Sequence, residues 1–148
     1  MTQVIHRQVS DLQEMLSAHT VNVILLVIDE TAYQHSGAHD TLEPLLSTAT
    51  VHRWSQFTPN PTLAELENGV LKYRACTPDV VIAIGGGTAL DLGKLISFYG
   101  EQTIPCREMI LSPPTNTLDP IPLVAIPTTS GTGSETTQFA VIYVDGEK

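Results

Sequence analysis

The chain has 148 residues, 42% of them hydrophobic, and sixteen acidic against seven basic side chains give it a formal charge of −9. This size and composition predict a single folded domain over residues 1–148, with its own buried core. The negative charge argues against nucleic acid and anionic membranes as partners, and no apolar run reaches the ~20 residues that span a bilayer.

The cysteine pattern bears on the cell compartment. Cys76 and Cys106 lie far apart, and neither belongs to a CxxC or zinc-knuckle spacing. The N-terminus does not resemble a secretion signal. We therefore expect reduced thiols in a cytoplasmic protein.

The first predicted elements are a helix and a strand. Residues 11–18 predict a helix that Ser10 caps, with Gln13 completing a capping box. Residues 23–28 form an unbroken run rich in β-branched side chains, which is typical of a strand buried on both faces.

Helix and strand patterns continue to alternate up to residue 76. A helix is predicted over about 38–47, and a strand of mixed character over 51–57. The helix over 63–76 has the clearest signal, because Thr62 and Glu65 have the spacing of a capping box. This alternation predicts a layered α/β domain, Rossmann-like, with a mainly parallel sheet flanked by helices.

A glycine turn follows the next predicted strand. Residues 80–84 form a second buried run, residues 85–87 are Gly-Gly-Gly, and a helix is predicted from there to about residue 100. Glycines allow positive φ and close approach of a ligand, and helix N-termini favour anions. The sequence therefore predicts a pyrophosphate cradle, although an ordinary glycine-rich strand-to-helix turn fits an isolated Gly-Gly-Gly equally well.

A second turn of this kind follows the last buried strand. Residues 101–120 contain four prolines and predict mostly loop, with a short helical turn around Glu108. A strand over 122–126 then leads into the turn at 127–135, which is rich in glycine and hydroxyl side chains.

The last residues predict a hairpin. Residues 137–144 have a strong strand pattern, and Asp145 and Gly146 form the dipeptide favoured in tight hairpin turns. Because an uncovered apolar edge strand is unfavourable, we expect a longer natural polypeptide to continue the arm, with self-association of the chain as a homo-oligomer as the alternative.

The two turns are predicted to lie at one edge of the sheet, since the carboxyl ends of parallel strands meet there and bind ligands in α/β proteins. Hydroxyl side chains cluster in these turns and can bond phosphate oxygens; they belong to Thr88, Thr128, Thr129, Thr132 and Ser134. Local capping is the alternative role for each of them taken alone.

Asp29 follows the first strand and is predicted at the same edge. A carboxylate there can accept hydrogen bonds from a ribose diol and would repel a 2′-phosphate, which favours NAD over NADP. Asp29 precedes the glycines, whereas the acid of a standard Rossmann fingerprint follows them, so the GxGxxG rule does not apply. The alternative role for Asp29 is a helix N-cap.

Together these motifs resemble the iron-containing, or group III, alcohol dehydrogenases. The matching strings are residues 85–94, GGGTALDLGK, residues 127–135, PTTSGTGSE, and residues 59–62, PNPT. They match in order and spacing, and the resemblance extends over nearly the whole chain. It implies the N-terminal, nucleotide-binding half of that family.

The resemblance also assigns a set of cofactor-binding residues, namely Asp29, Asn60, Gly86, Gly87, Thr88, Asp91, Thr128, Thr129 and Thr132. Asp29 would meet the adenosine ribose, and Asn60 would line the cofactor cleft. The glycines, Thr88 and Asp91 would surround the pyrophosphate, and the three later threonines would close over its other side. We expect Asp91 to bond backbone N–H or ribose groups rather than phosphate, and Lys94 either to contact the cofactor or to stabilise its helix.

In the family that the sequence resembles, a second, helical domain supplies one aspartate and three histidines that bind Fe²⁺ or Zn²⁺. The resemblance maps no catalytic or metal-binding residue onto this chain. Only His35 and His39 have the i, i+4 spacing of a helical metal pair, and a polar surface is the alternative that we favour for them.

Two functions remain open. The first is the NAD-binding half of a metal-dependent alcohol dehydrogenase acting on a small alcohol or aldehyde, with this part alone inactive. Residues 137–148 also resemble members that reduce phosphonate-bearing aldehydes. The second is a self-standing nucleotide-binding or interaction module without catalysis.

Overall fold

The computed structural model describes residues 3–6 and 8–147. Four strands form its sheet: β1 (Val23–Ile28), β2 (Thr50–Trp54), β3 (Val80–Gly85) and β4 (Leu123–Pro127). The helices are α1 (Ser10–Ala18), α2 (Glu30–His35), α3 (Ala38–Leu46), α4 (Leu63–Cys76), α5 (Gly87–Tyr99) and α6 (Cys106–Leu111). None of these helices is long and apolar enough to cross a membrane.

The sheet is parallel throughout, with strand order β2-β1-β3-β4. Its two central strands are covered on both faces, because their side chains alternate between two cores. Leu25 and Val27 of β1 pack with α4, α5 and α6, whereas Ile24, Leu26 and Ile28 pack with α1, α2 and α3. The predicted α/β fold with a mainly parallel sheet is confirmed.

Several local predictions were also correct. The helix over 63–76 has the predicted bounds, and the capping box of Thr62 and Glu65 is present. The short helical turn around Glu108 is α6. The predicted strand over 51–57 is shorter, since β2 ends at Trp54.

The predicted cap of the first helix was wrong. Val9 occupies the N-cap of α1, and no side chain among the described residues caps it. Ser10 is the first helical residue, and its hydroxyl lies near the side chains of Gln8 and Asp11 instead. The short helix α2 was not predicted, although the N-cap role considered for Asp29 marks its start.

The predicted strand over 137–144 was also wrong. Only Tyr143 and Val144 make bridges there, the first to Thr62 and the second to Glu147. The tight turn is present: Val144 and Glu147 exchange two backbone hydrogen bonds of 2.8 and 2.9 Å across Asp145 and Gly146, both of which have positive φ. Before the turn, two backbone groups bond side chains of α5 instead of a strand: the Phe139 carbonyl accepts from Lys94, and the Val141 N–H donates to Asp91.

Candidate functional site

The candidate site lies where β1, β3 and β4 end side by side. The N–H of Asp29 donates to the carbonyl of Ile84 at 3.2 Å, and the N–H of Thr128 donates to the carbonyl of Gly85 at 2.9 Å. Parallel pairing thus brings the residues after β1 and β4 against the end of β3. The predicted meeting of the two turns with Asp29 at one edge is confirmed.

Gly85 is the glycine whose conformation this edge requires. Its φ is +150°, and a Cβ built on it would lie 2.8 Å from the Cβ of Ala89 and 3.1 Å from the Cβ of Asp29. All three glycines could adopt positive φ, but only Gly85 of the turn does, since Gly86 has φ −79° and Gly87 begins α5. Gly85 therefore permits close packing, which leaves Gly86 and Gly87 to face the space above.

The N-terminus of α5 opens into that space. Gly86 is its N-cap residue, and no described side chain bonds the first-turn N–H groups. Thr88, half-buried, lies in this first turn. Uncapped N–H groups at the positive end of a thirteen-residue helix favour an anion.

The second turn faces the first. A Cβ built on Gly86 would lie 3.5 Å from the Thr129 hydroxyl oxygen, and one built on Gly87 would lie 3.3 Å from the Ser134 hydroxyl and 3.8 Å from Cγ2 of Thr132. The structure therefore brings both glycines together with two of the three predicted threonines of the second turn. Ser134 joins them, although it was not among the residues assigned to the cofactor.

Thr128 is the first hydroxyl residue of the second turn, and its hydroxyl makes no hydrogen bond to the described residues. Its Oγ1 atom is buried. Burying a polar atom without a partner costs about 1–3 kcal/mol, so such an atom calls for an explanation. A ligand oxygen in the cradle would satisfy it. One buried carboxylate oxygen of Glu135, in the same turn, is also unpartnered within the described part of the chain.

Asp29 has the N-cap role that was its alternative. Its Oδ1 accepts a hydrogen bond of 2.9 Å from the N–H of Ala32, at the start of α2. Hydrogen bonds also join α2 to α3 and β2: the buried Tyr33 hydroxyl donates to Glu43 of α3, which accepts two hydrogen bonds from Arg53 of β2. No described residue bonds the second carboxylate oxygen of Asp29, so the capping role is compatible with ribose binding.

Asp91 and Lys94 bond other parts of the chain. Asp91 is 8% exposed; its Oδ1 accepts from the Lys94 ammonium at 3.2 Å, and its Oδ2 accepts from the Val141 N–H at 3.1 Å. This agrees with the expectation that Asp91 bonds backbone N–H groups rather than phosphate. A direct contact between Asp91 and a cofactor stays a prediction.

Asn60 lies in the loop after β2. It is exposed and has a φ of 63°, in the left-handed region that asparagine tolerates better than most residues. Its side chain makes no hydrogen bond within the described residues, and its place in a cofactor cleft stays a prediction.

The structure does not support a helical pair of His35 and His39. His35 belongs to α2 and His39 to α3, and Gly37 separates the two helices. The Nδ1 atoms lie 2.8 Å from the Thr31 carbonyl oxygen and 2.9 Å from an Asp40 carboxylate oxygen, respectively. Within residues 3–6 and 8–147 no group of three or more His, Cys, Asp or Glu side chains is placed to hold a metal ion.

Comparison with known proteins shows the family of this chain. A model of the iron-containing alcohol dehydrogenase family matches residues 2–148. The chain belongs to that family. It is 35% identical over 122 residues to a 1-propanol dehydrogenase, PduQ, of Salmonella typhimurium, and 29% identical over 140 residues to the long-chain primary alcohol dehydrogenase AdhA of Thermoanaerobacter ethanolicus. These matches cover 82% and 93% of this chain but only 30% and 35% of the two relatives.

Solved structures of the family have the same fold. The iron-containing alcohol dehydrogenase of Thermococcus thioreducens matches with a TM-score of 0.80 at 22% identity, over 99% of this chain and 40% of its own. The sulfoacetaldehyde reductase of Bifidobacterium kashiwanohense, solved in complex with NAD⁺, matches with a TM-score of 0.74 at 24% identity, over 92% of this chain and 39% of its own. This member of the iron-containing alcohol dehydrogenase family therefore spans less than half the length of the relatives and structures named here.

Proposed function

We propose that this chain is the dinucleotide-binding part of an alcohol dehydrogenase and that it binds NAD(H) across the carboxyl edge of its sheet. The observation that carries the proposal is the uncapped N-terminus of α5, faced by a turn of hydroxyl side chains. A pyrophosphate suits this position, because it accepts hydrogen bonds and carries the charge that a helix N-terminus favours.

The residues of the two turns have distinct parts in this proposal. N–H groups of the first turn of α5, including that of Gly87, would donate to the pyrophosphate oxygens. Thr128 would donate its unpartnered hydroxyl, and Thr129 and Thr132 would close the opposite wall. Bound NAD(H) would supply the hydride acceptor or donor, while this chain would hold and orient it.

We propose Asp29 as the residue that selects NAD over NADP. Its Cβ lies beside Gly85, and its Oδ1 bonds the Ala32 N–H, which leaves Oδ2 for a ribose hydroxyl. A 2′-phosphate at the same place would meet a like charge. Asp29→Ser provides a test, because serine also caps helices but carries no charge. We expect the variant to bind NADPH about tenfold more tightly relative to NADH, measured by fluorescence titration, and an unchanged ratio would contradict the assignment.

We propose that substrate and metal are bound outside this chain. We propose a small primary or secondary alcohol, or the matching aldehyde or ketone, as the substrate, and Fe²⁺ or Zn²⁺ held outside this chain, as the family resemblance implies. The described chain would then bind cofactor without catalysing hydride transfer. Its span of 30% and 35% of two curated relatives supports this division.

NADH titration of the purified chain, followed by cofactor fluorescence, tests the binding proposal. Gly86 has φ −79° and ψ −172°, which any residue adopts, so Gly86→Ala and Gly86→Val fill the cradle in steps without straining the backbone. We expect Kd to rise with side-chain size, by about tenfold for valine, the equivalent of one charge-assisted hydrogen bond. Absence of binding at millimolar NADH, or equal affinity across the series, would overturn the proposal.

A further inference from the structure

The ammonium of Lys94 joins α5 to the segment that continues from the second turn. It donates to Asp91 Oδ1 at 3.2 Å, to Thr137 Oγ1 at 3.3 Å and to the carbonyl oxygen of Phe139 at 2.7 Å. An ammonium has three donors, and three acceptors surround this one. No donor of Lys94 is left for a cofactor phosphate, so its direct contact with the cofactor is disfavoured.

Asp91 completes the connection one helical turn earlier. Its second oxygen accepts from the N–H of Val141 at 3.1 Å, so the pair bonds the backbone of the segment at two points. The side chains of Asp91 and Lys94 are only 12% and 14% exposed. At that burial a broken contact would leave a charge poorly solvated, which makes the arrangement more persistent than a surface ion pair.

The helix α5, which carries Asp91 and Lys94, packs closely against strand β3. A Cβ built on Gly93 would lie only 2.5 Å from the Cβ of Ala83 in β3, so α5 lies unusually close to the strand beneath it. α5 begins at Gly87, which faces Ser134 and Thr132. One rigid helix therefore contacts the second turn at its start and the segment after that turn one to two turns later.

We propose that Asp91 and Lys94 are positioning residues that hold segment 137–141, and through it the turn at 128–135, against α5. Their effect on the cofactor rests on the proposed NAD(H) function, whereas their hold on the segment does not. Asp91 would then favour cofactor binding by keeping the turn at 128–135 in place rather than by contacting the pyrophosphate.

The sign of one substitution separates this inference from direct contact. If Lys94 bound phosphate, Asp91→Asn would remove a competing negative charge and tighten NADH binding. If the pair positions the segment, Asp91→Asn leaves one acceptor oxygen where Lys94 and the Val141 N–H use two, so one of these contacts is lost and NADH binding weakens. We expect Kd to rise about tenfold. Lys94→Met, which keeps the apolar stem and removes the donors, should weaken binding to a similar extent.

Amide hydrogen exchange of the chain without cofactor gives a readout that does not depend on NADH. We expect both variants to accelerate exchange of the Val141 amide by about tenfold, because this amide donates to Asp91 and its local opening free energy falls. The acceleration of exchange in the double variant should be smaller than the product of the two single accelerations, since the two residues belong to one network. Lys72→Met, which removes the same charge from α4, is the matched control and should change neither readout.

The outcomes distinguish the two proposals. Unchanged exchange of the Val141 amide in both variants, or tighter NADH binding by Asp91→Asn, would overturn the positioning inference. If the unmodified chain binds no NADH, the proposed function is overturned, and exchange alone decides whether the pair holds the segment. Should either buried substitution prevent folding, Thr137→Val removes one exposed contact of Lys94 and should show a smaller effect in the same direction.

Discussion

The N-termini of α4 and α5 begin alike and differ in how their N–H groups are satisfied. Both N-cap residues, Thr62 and Gly86, are extended. At α4, Thr62 Oγ1 accepts from the N–H of Glu65 at 3.3 Å, and Glu65 Oε2 accepts from the N–H of Thr62 at 2.7 Å. At α5 the described side chains provide no cap. The first terminus is capped by its own side chains, whereas the second is open, and functional sites are expected where such a local rule is not met.

The largest predicted effect on the open terminus of α5 comes from a substitution at Gly85, the residue just before its N-cap. Gly85→Ala adds a Cβ at positive φ against Ala89 and Asp29, so we expect a loss of about 3 kcal/mol in the free energy of unfolding, together with loss of NADH binding. Urea denaturation and NADH titration measure the two effects.

Gly37→Ala is the control for Gly85→Ala. Gly37 also has positive φ, at +79°, but a Cβ there would meet nothing within 4 Å. This variant should cost about 1 kcal/mol and leave NADH binding intact. Equal destabilisation at both sites would show that close packing at Gly85 contributes little.

Giving α5 the cap that it lacks should stabilise the chain and prevent its function. Gly86→Asp places a carboxylate at an extended N-cap. We expect the free energy of unfolding to rise by about 0.5 kcal/mol, because the new side chain accepts from first-turn N–H groups and complements the helix dipole. NADH binding should weaken by about a hundredfold, since the carboxylate takes the position of the pyrophosphate and repels it. Retained affinity would place the cofactor elsewhere.

The cap of α4 predicts a pH effect on stability. Burial by itself would raise the pKa of Glu65, but hydrogen bonds from the backbone and side chains of Thr62 and Thr58 outweigh it and leave the pKa lower than usual. A carboxyl whose pKa is lowered by folding stabilises the protein above its unfolded pKa and loses that contribution as pH falls through the folded value.

Glu65→Gln therefore provides the measurement. We expect it to cost about 1 kcal/mol at pH 7, and the difference from the unmodified chain should shrink steadily as pH falls below 4.5. Urea denaturation at several pH values between about 3 and 7 measures this difference in unfolding free energy. A difference that is constant with pH would show that the charge of Glu65 is not involved.

The smallest effect concerns the unpartnered hydroxyl at the second turn. Thr128→Val replaces it with a methyl group, so we expect the chain without cofactor to be as stable as before or up to about 1 kcal/mol more stable. NADH binding should weaken by about fivefold, because a donor to the cofactor is lost. Loss of stability without any change in Kd would assign Thr128 to the fold alone.

Local chemistry made parts of this fold predictable. The start of α4 follows from the capping box of Thr62 and Glu65, two residues only three positions apart. The central strands follow from unbroken apolar runs, which only a sheet covered on both faces can bury. The same local rule failed at Ser10, because a capping residue is useful only where the helix actually begins.

The errors came from contacts between distant residues. The segment 137–144 has a strand pattern, but Asp91 and Lys94 bond its backbone from positions about fifty residues earlier. No neighbouring strand is needed to satisfy those groups, and none of the periodicity in the segment reveals this. The sequence likewise did not distinguish Gly85 from Gly86 and Gly87, since its role depends on how closely Asp29 approaches.

By itself, the sequence determined the alternation of helices and strands, the two turns at the sheet edge and the family resemblance, because each depends on residues close together along the chain. Only the tertiary structure decided which glycine carries the positive φ, which hydroxyl is left without a partner, and that Asp91 and Lys94 bond the chain itself. These features depend on distances between strands and helices, which parallel pairing and core packing set and local patterns do not encode.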